Sequence, residues 1–176
     1  MNDFHHLINQ ESVFEGKKIN LYTGSIKGKK GLVERELVVH PGAVVILPLL
    51  DDNSLVMIKN ERFAVQETLW ELPAGTLESD ESPEKTALRE LEEETGYIAN
   101  RLDFLTYFYT SPGFCNEKIF SYVAKDLFFK QQNLDDNEFI QIEILTWEKV
   151  KRMISSHEIH DAKTLTTLLY FLQNQF

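Results

Sequence analysis

The chain has 176 residues, of which 43% are hydrophobic, 18 are basic and 28 are acidic, giving a formal net charge of −10. This composition supports one folded domain with a small extension and excludes wholesale disorder, while the negative charge argues against binding to nucleic acid or an anionic membrane. The single cysteine excludes an internal disulfide, and no signal peptide or bilayer-length apolar stretch is visible, so we expect a cytoplasmic protein.

The first half of the chain is rich in strand patterns. Residues 1–16 are polar and mixed, which predicts a short helix or an arm. Residues 18–40 predict two strands around a Gly/Lys turn at Ile26–Gly31. The β-branched run Gly42–Leu50 predicts a buried strand, and residues 55–63 (LVMIKNERF) predict its partner across the turn DDNS.

A short strand and the clearest helix come next. The stretch LWELPAG predicts a strand that Pro73 and Gly75 end. Ser82 is a good N-cap, Pro83 suits the first helical position, and Gly96 suits the position just after the last turn. The expected apolar stripe of this helix is narrow and consists of Ala87, Leu88 and Leu91.

The remainder alternates between strands and helices. Strands are predicted at 102–113, 118–127 and 139–147, and helices at Trp147–Ser155 and Ala162–Gln173, the second capped by Asp161. The expected core positions of the last helix are Leu165, Leu168, Leu169 and Leu172. Strands distributed among a few helices predict an α/β or α+β sandwich with a mixed sheet.

The segment Gly75–Tyr97 concentrates negative charge on the first helix. It contains eight acidic residues, opposed only by Lys85 and Arg89. Glu90 and Glu94 are one turn apart on the same face, a spacing at which like charges destabilise a helix by roughly 0.2–0.5 kcal/mol per pair. A solvated helix face is one interpretation. The other interpretation is a cation site. Because the apolar stripe is narrow, some of the carboxylates must be partly buried, and a partly buried carboxylate cluster is stable only with a counter-ion such as Mg²⁺ or Mn²⁺.

The spacing of these residues resembles a family signature. The stretch GTLESDESPEKTALRELEEETGY resembles that of the Nudix hydrolases, which is Gly, five residues, Glu, seven residues, then Arg-Glu-apolar-x-Glu-Glu-x-Gly-apolar. The resemblance implies a Nudix-type α/β/α sandwich with a mixed sheet and an N-terminal β extension. It implies an arm and strands at 1–40, exchanged between the subunits of a homodimer, and a Nudix hydrolase domain at 41–176.

The resemblance also implies roles for residues of the signature. Glu90 and Glu94 would be the principal ligands of Mg²⁺ (or Mn²⁺), with Glu93 as a third carboxylate and the Ala74 carbonyl as a further ligand. Arg89 would orient a glutamate during catalysis. Glu81 would hold Arg89 or reach the metal through water. Gly75 would allow the loop its turn, and Gly96 would end the helix.

A second stretch narrows the expected substrate. Pro112 follows Gly96 by 16 residues in TSPGF, an offset that resembles the ADP-ribose pyrophosphatase subfamily. An ordinary Ser-Pro-Gly turn is the alternative. The subfamily resemblance implies substrate binding by Pro112 and Gly113, with Glu117 near the terminal ribose or the metal.

Further substrate contacts are implied in the strands. Arg62 and Glu71 match residues of bacterial ADP-ribose pyrophosphatases, with Arg62 at the diphosphate or the adenine side. Phe14, Tyr22 and Arg35 are candidates for an adenine pocket in the exchanged strands, although single aromatic residues are more often part of a core.

The subfamily resemblance implies a catalytic glutamate, acting as base or metal ligand, in the acidic loop LDDNEFIQ. Glu138 is the first candidate and Asp136 the second, with Glu93 a third possibility on the helix. An ordinary hydrophilic loop is the alternative for this segment.

The resemblance carried by these residues implies an enzyme that hydrolyses the diphosphate of ADP-ribose to AMP and ribose 5-phosphate with Mg²⁺. The alternatives are a Nudix hydrolase of other ADP-sugars, dinucleotides or oxidised nucleotides, and a non-catalytic ADP-ribose-binding module.

Overall fold

The structure, a computed structural model, describes residues 7–133 and 139–174. These residues fall into two compact units. The first comprises the described residues up to Gly42 together with Tyr109–Lys118, and the second comprises Ala43–Phe108 with the described residues from Ile119 onwards. None of the helices in these ranges combines the length and the apolar character that a membrane span requires.

The first unit is built on a three-stranded antiparallel sheet in the order β1-β2-β3. Its strands are β1 (Ile8–Glu15), β2 (Asn20–Gly28) and β3 (Gly31–Val39). The segment 1–16, for which the sequence predicts either a short helix or an arm, therefore contains a strand at Ile8–Glu15. The predicted turn is tighter than expected, because Gly28 pairs with Gly31, and Gly31 has a positive φ of 128° that favours glycine.

The second unit holds two sheets and three helices among its described residues. One sheet has the order β7-β4-β9-β8, and the other has the order β10-β5-β6. The strands are β4 (Ala43–Pro48), β5 (Leu55–Arg62), β6 (Glu67–Glu71), β7 (Ala74–Thr76), β8 (Tyr97–Tyr109), β9 (Lys118–Phe129) and β10 (Ile140–Leu145), and the helices are α1 (Pro83–Thr95), α2 (Trp147–Ser155) and α3 (Ala162–Asn174). Since β4 pairs parallel with β9 and antiparallel with β7, the first of these sheets is mixed, as predicted.

Strand β4 lies between two hydrophobic clusters, with all six of its residues buried. Successive side chains of a strand point to opposite faces of the sheet. Val45 and Leu47 pack in the cluster that contains residues of α2 and α3, while Val44 and Ile46 pack against Ala87 and other residues of α1. Full burial of such side chains contributes about 1.5–3 kcal/mol each. Helices therefore cover both faces of this sheet.

The predicted boundaries of α1 are confirmed. The Ser82 side chain accepts a hydrogen bond from the backbone N–H of Lys85, and Gly96 adopts the left-handed conformation with φ 71°. The predicted apolar stripe is partly wrong, because Leu88 is 39% exposed. The carboxylate of Glu94 is buried on the inner face instead.

Two predictions about the strands are wrong. Strand β5 does not pair with β4 beyond an isolated bridge between Leu49 and Leu55. Both edges of β4 are already taken by β7 and β9, and β5 pairs with β6 and β10. The stretch LWELPAG forms two strands, because β6 ends at Glu71 and Gly75 lies inside β7.

The buried face of α3 also differs from the expected leucine pattern. Leu168 is buried, and Leu165 and Leu172 pack partly against the core, but Leu169 is exposed. The buried residues of the helix are Thr164, Thr167, Leu168 and Phe171. This spacing of three and four residues is that of one helix face, and it runs through two threonines that hydropathy alone does not select.

A hydrogen bond joins the start of α1 to strand β9. The Tyr122 hydroxyl donates to Glu84 Oε1 at 3.0 Å. The pKa of the Glu84 carboxyl is lowered by a hydrogen bond from its own backbone N–H and by this hydroxyl. The pKa of Tyr122 is raised by burial and by the same contact with Glu84.

We expect Tyr122→Phe to lower the free energy of unfolding by about 0.5–1 kcal/mol at pH 7, a small amount because Glu84 is exposed to solvent. A carboxyl whose folded-state pKa is depressed stabilises the protein above its usual pKa, and this contribution disappears as the pH falls through the folded-state value. Urea unfolding from pH 7 to pH 3 should show the gap between the two proteins narrowing below about pH 4.5. A gap of equal size at both pH values would contradict this assignment.

Candidate active site

Strand β7 and helix α1 are in contact, and Gly75 of β7 lies against the side chain of Glu90. A Cβ atom added at this position would overlap the side chain of Glu90. Gly75 is not among the glycines with a positive φ. Its expected role in a turn is therefore wrong, and the structure gives a different reason for glycine, namely space for the Glu90 carboxylate beside the strand.

Glu94 is held against the same strand. It is 3% exposed, and its Oε2 accepts a hydrogen bond of 2.9 Å from the backbone N–H of Ala74. Burying an ionised carboxylate is costly unless hydrogen bonds and a cation compensate it. The β7–α1 contact thus brings Ala74, Glu90 and Glu94 together, three of the four residues expected to bind a metal.

Arg89 is the centre of an ion-pair cluster on α1. Its Nη1 lies 2.8 Å from Glu90 Oε1 and 2.8 Å from Glu93 Oε2, and its Nη2 lies 3.2 Å from Glu81 Oε2. Burial works to lower the pKa of Arg89, but the hydrogen bonds and charges of the three carboxylates outweigh it and raise that pKa. The pKa of Glu81 is lowered by its hydrogen bonds with Arg89 and then with Thr86. One guanidinium therefore binds three carboxylates, whose combined negative charge exceeds its own positive charge.

The donor atoms of this cluster suit a hard divalent cation, because carboxylate and carbonyl oxygens are the ligands that Mg²⁺ and Mn²⁺ prefer. As the side chains stand in the described ranges, no three His, Cys, Asp or Glu residues form a ready metal site. Glu90 and Glu93 instead both bind Arg89. The space that Gly75 leaves for Glu90 and the buried carboxylate of Glu94 are the two features that fit a bound cation.

Arg62 and Glu71 form an ion pair in the second unit, in which the carboxylate is buried and the guanidinium is partly exposed. Arg62 donates from Nε to Glu71 Oε1 at 2.7 Å and from Nη2 to Oε2 at 2.6 Å. The side chain of Glu71 is 1% exposed, whereas that of Arg62 is 40% exposed. Contact between Glu71 and substrate stays a prediction, although both of its oxygens are bonded to neighbouring side chains. Arg62 remains a candidate for substrate contact.

Several expected substrate residues of the first unit line one pocket of about 440 Å³. Arg35, Pro112 and Gly113 lie in its wall together with Tyr109 and Phe114. Phe14 and Tyr22 are not among its lining residues. The sequence did not single out Tyr109 or Phe114, although both flank the TSPG turn.

Glu117 also lies in the first unit. Its Oε2 accepts a hydrogen bond of 2.7 Å from the Thr110 hydroxyl, and its Oε1 is 3.7 Å from His40 Nδ1. The candidate bases Glu138 and Asp136 lie outside the described residues.

Lys163 shares the partner Glu71 with Arg62, and the sequence analysis did not predict this contact. Its Nζ donates to Glu71 Oε2 at 2.7 Å, across a separation of 92 residues. The only local signal is the neighbouring cap residue Asp161, and a cap says nothing about what the next lysine reaches.

Comparison with known proteins identifies the class. A family model described as NUDIX domain matches residues 39–168, so the chain belongs to the Nudix family. The resemblance that the signature suggested is confirmed.

Two relatives match nearly the whole chain. The ADP-ribose pyrophosphatase of Bacillus subtilis (strain 168) is 42% identical over 166 residues, 93% of this chain and 90% of the relative. The methanol dehydrogenase activator of Bacillus methanolicus is 39% identical over 166 residues, with the same coverage. A crystal structure of an ADP compounds hydrolase aligns with a TM-score of 0.81 over 96% of this chain and 94% of that chain, at 23% identity. This structural likeness confirms the predicted α/β/α fold.

We expect Gly75→Ala to weaken the affinity for Mn²⁺ by about 10-fold or more, because the new methyl group displaces the Glu90 carboxylate. The free energy of unfolding should fall by no more than about 1 kcal/mol, since a side chain and not the backbone has to move. Calorimetric titration and urea unfolding measure the two quantities. Gly113→Ala is the matched control, because its added Cβ would meet no atom within 4 Å. Unchanged Mn²⁺ affinity in Gly75→Ala would refute the role given to this contact.

Proposed function

We propose that the protein is a Mg²⁺-dependent Nudix pyrophosphohydrolase that cleaves ADP-ribose to AMP and ribose 5-phosphate. The single observation that carries the proposal is the carboxylate cluster at the β7–α1 contact, where Gly75 makes room for Glu90 and Ala74 binds Glu94. The ADP-ribose pyrophosphatase name of a relative matched over 93% of this chain supports the choice of substrate.

The residues of the cluster have separate proposed roles in cation binding, in positioning and in catalysis. Glu90, Glu93, Glu94 and the Ala74 carbonyl would hold the cation. When bound, a divalent cation neutralises the diphosphate oxygens and makes water a better nucleophile. Arg89 and Glu81 hold the carboxylates of α1 in place through their ion pairs. Glu138 is the proposed base, with Asp136 and Glu93 as alternatives.

Arg62 is the proposed contact for the diphosphate. Its side chain is partly exposed, and hydrogen bonds with Glu71 raise its pKa, as do the negative charges of Glu71 and Glu94. The influence of Glu94 indicates that Arg62 lies in the electrostatic neighbourhood of the candidate cation ligands. Because two of its nitrogens are fixed by Glu71, the guanidinium is oriented before a substrate arrives.

The pocket of the first unit suits a nucleoside. Ligand pockets are typically about 300–1,000 Å³ and mostly apolar, with a few polar groups that fix orientation. The 440 Å³ pocket combines the aromatic rings of Tyr109 and Phe114 with the cationic Arg35. We assign substrate binding to Arg35, Pro112 and Gly113 there, and ribose binding to Glu117.

We further propose a cytoplasmic homodimer in which residues 1–40 are exchanged and residues 41–176 form the hydrolase domain. Apolar side chains on the three-stranded sheet support this, since Val13, Phe14 and Leu32 are exposed in the single chain. In the exchanged sheet Phe14 and Tyr22 would contact the adenine. Use of one cysteine fits a reducing compartment.

The alternatives are a Nudix hydrolase of other ADP-sugars, dinucleotides or oxidised nucleotides, and a module that binds ADP-ribose without cleaving it. A non-catalytic module would not need the buried Glu94 carboxylate or the glycine that accommodates Glu90, so hydrolysis is favoured.

A substrate panel with Mg²⁺ tests the proposal directly. We expect ADP-ribose to give the highest kcat/KM and AMP as a product, and removal of the cation with EDTA to abolish turnover. AMP release is followed by chromatography for ADP-ribose, NADH, a diadenosine polyphosphate and a nucleoside triphosphate. Faster turnover of any other compound would redirect the assignment to that substrate.

We expect Glu94→Gln to lower kcat by roughly 100-fold or more, a loss of about 2.7 kcal/mol in transition-state stabilisation. The fold should persist, because the amide oxygen of glutamine can still accept the Ala74 N–H. Glu92→Gln is the control, since Glu92 is on the same helix but forms an ion pair with Lys130. Steady-state kinetics and circular dichroism measure the two effects, and full activity of Glu94→Gln would remove this residue from the cation site.

A further inference from the structure

Lys163 bridges two carboxylates at the start of α3. Its Nζ lies 2.7 Å from Glu71 Oε2 and 2.8 Å from Asp161 Oδ1, and its side chain is 17% exposed. The lysine is therefore held between two anions, both of which are largely buried.

The other partner of Glu71 is Arg62. Oxygen Oε2 of Glu71 accepts hydrogen bonds from both Lys163 and Arg62, while Oε1 accepts only from Arg62 in the described contacts. Because Glu71 itself is inaccessible, any effect of this network on a substrate has to pass through the guanidinium of Arg62.

Backbone contacts fix the first turn of α3 beside this network. The Thr164 hydroxyl accepts a hydrogen bond of 2.9 Å from the backbone N–H of Leu72, and Asp161 Oδ2 accepts one of 2.9 Å from the backbone N–H of Thr164. The helix start is thus tied to the residue that follows Glu71, and Asp161 cannot move away without losing its role as the cap.

Removal of the lysine would leave two anions without the cation between them. Glu71 and Asp161 each lie one hydrogen-bond length from the same Nζ. Like charges that close repel strongly in a largely buried setting, where water screens them poorly. Since the cap hydrogen bond holds Asp161 at the start of α3, we expect Glu71 to be the carboxylate that shifts, and Arg62 is bonded to it through two nitrogens.

We propose that Lys163 is a positioning residue that holds Arg62 in place through Glu71. This inference rests on the proposed function, in which Arg62 contacts the diphosphate. Lys163 does not touch substrate. It balances the paired charges of Glu71 and Asp161, which keeps the Glu71 carboxylate in the orientation that binds two nitrogens of the guanidinium.

The kinetic test compares Lys163→Met with the wild-type protein at saturating Mg²⁺. We expect KM for ADP-ribose to rise about 10-fold while kcat changes less than about 3-fold, because a displaced Arg62 weakens binding but leaves the carboxylate cluster intact. Lys163→Arg should keep KM within about 3-fold of wild type, since it retains the cation. Lys125→Met is the matched control, because Lys125 also forms a partly buried ion pair, with Asp103 on the neighbouring strand.

A suppressor variant separates repulsion from a general loss of stability. Asn is as good a helix cap as Asp, so Lys163→Met combined with Asp161→Asn removes the anionic pair while keeping the cap. We expect the double variant to recover at least half of the lost kcat/KM. An unchanged KM in Lys163→Met, or no recovery in the folded double variant, overturns the proposal.

A measurement that needs no turnover distinguishes this inference from the proposed function. In NMR spectra, the Nε–H signal of Arg62 is assigned by its loss in Arg62→Lys. We expect it to be protected from solvent exchange in the wild-type protein and in Lys125→Met, and to exchange at least about 10-fold faster in Lys163→Met. Equal protection in Lys163→Met overturns the positioning role. Absence of ADP-ribose hydrolysis in the wild-type protein overturns only the substrate assignment, and the exchange rates still decide the role of Lys163.

Discussion

Negative charge crowded onto one side of α1 is the constraint on which the candidate site depends. A helix with Glu90, Glu93 and Glu94 on neighbouring positions loses roughly 0.2–0.5 kcal/mol per like-charged pair unless something offsets the repulsion. In this structure Arg89 offsets much of it, and the Ala74 N–H supports the most buried of the three carboxylates. The same side chains carry carboxylate oxygens, which are the ligands that Mg²⁺ prefers. A bound divalent cation would therefore reduce the repulsion that lowers the stability of the helix.

The second feature of the site is that cationic side chains are themselves held by carboxylates, of which Glu71 is buried and Glu81 is partly exposed. Glu81 binds Arg89 on α1, and Glu71 binds Arg62 where β6 ends. In each case the carboxylate limits the orientations open to a guanidinium, which lowers the entropy lost when an anionic ligand binds. Two oriented guanidinium groups suit a substrate whose own charge is concentrated in a diphosphate.

Local features of the sequence predicted more than long-range ones. The caps Ser82 and Gly96 defined α1 correctly because capping depends on neighbouring residues. The pairing of β5 was wrong because competition for the edges of β4 comes from strands distant in the chain. The contact between Lys163 and Glu71 could not be predicted either, because the two residues are distant in the chain. The role of Gly75 was mistaken because a need for space and a need for unusual dihedral angles select the same residue.

Burial of β4 on both faces has an evolutionary consequence. Insertion or deletion of one residue within Ala43–Pro48 would exchange the side chains that face α1 with those that face α2 and α3. It would also change the register in which Val45 pairs with Ala74 of β7. The backbone N–H of Ala74, which donates a hydrogen bond to Glu94, would then be displaced. Length variation among descendants of this chain should therefore accumulate in surface connections, while this hexapeptide keeps its length even where its individual aliphatic residues drift.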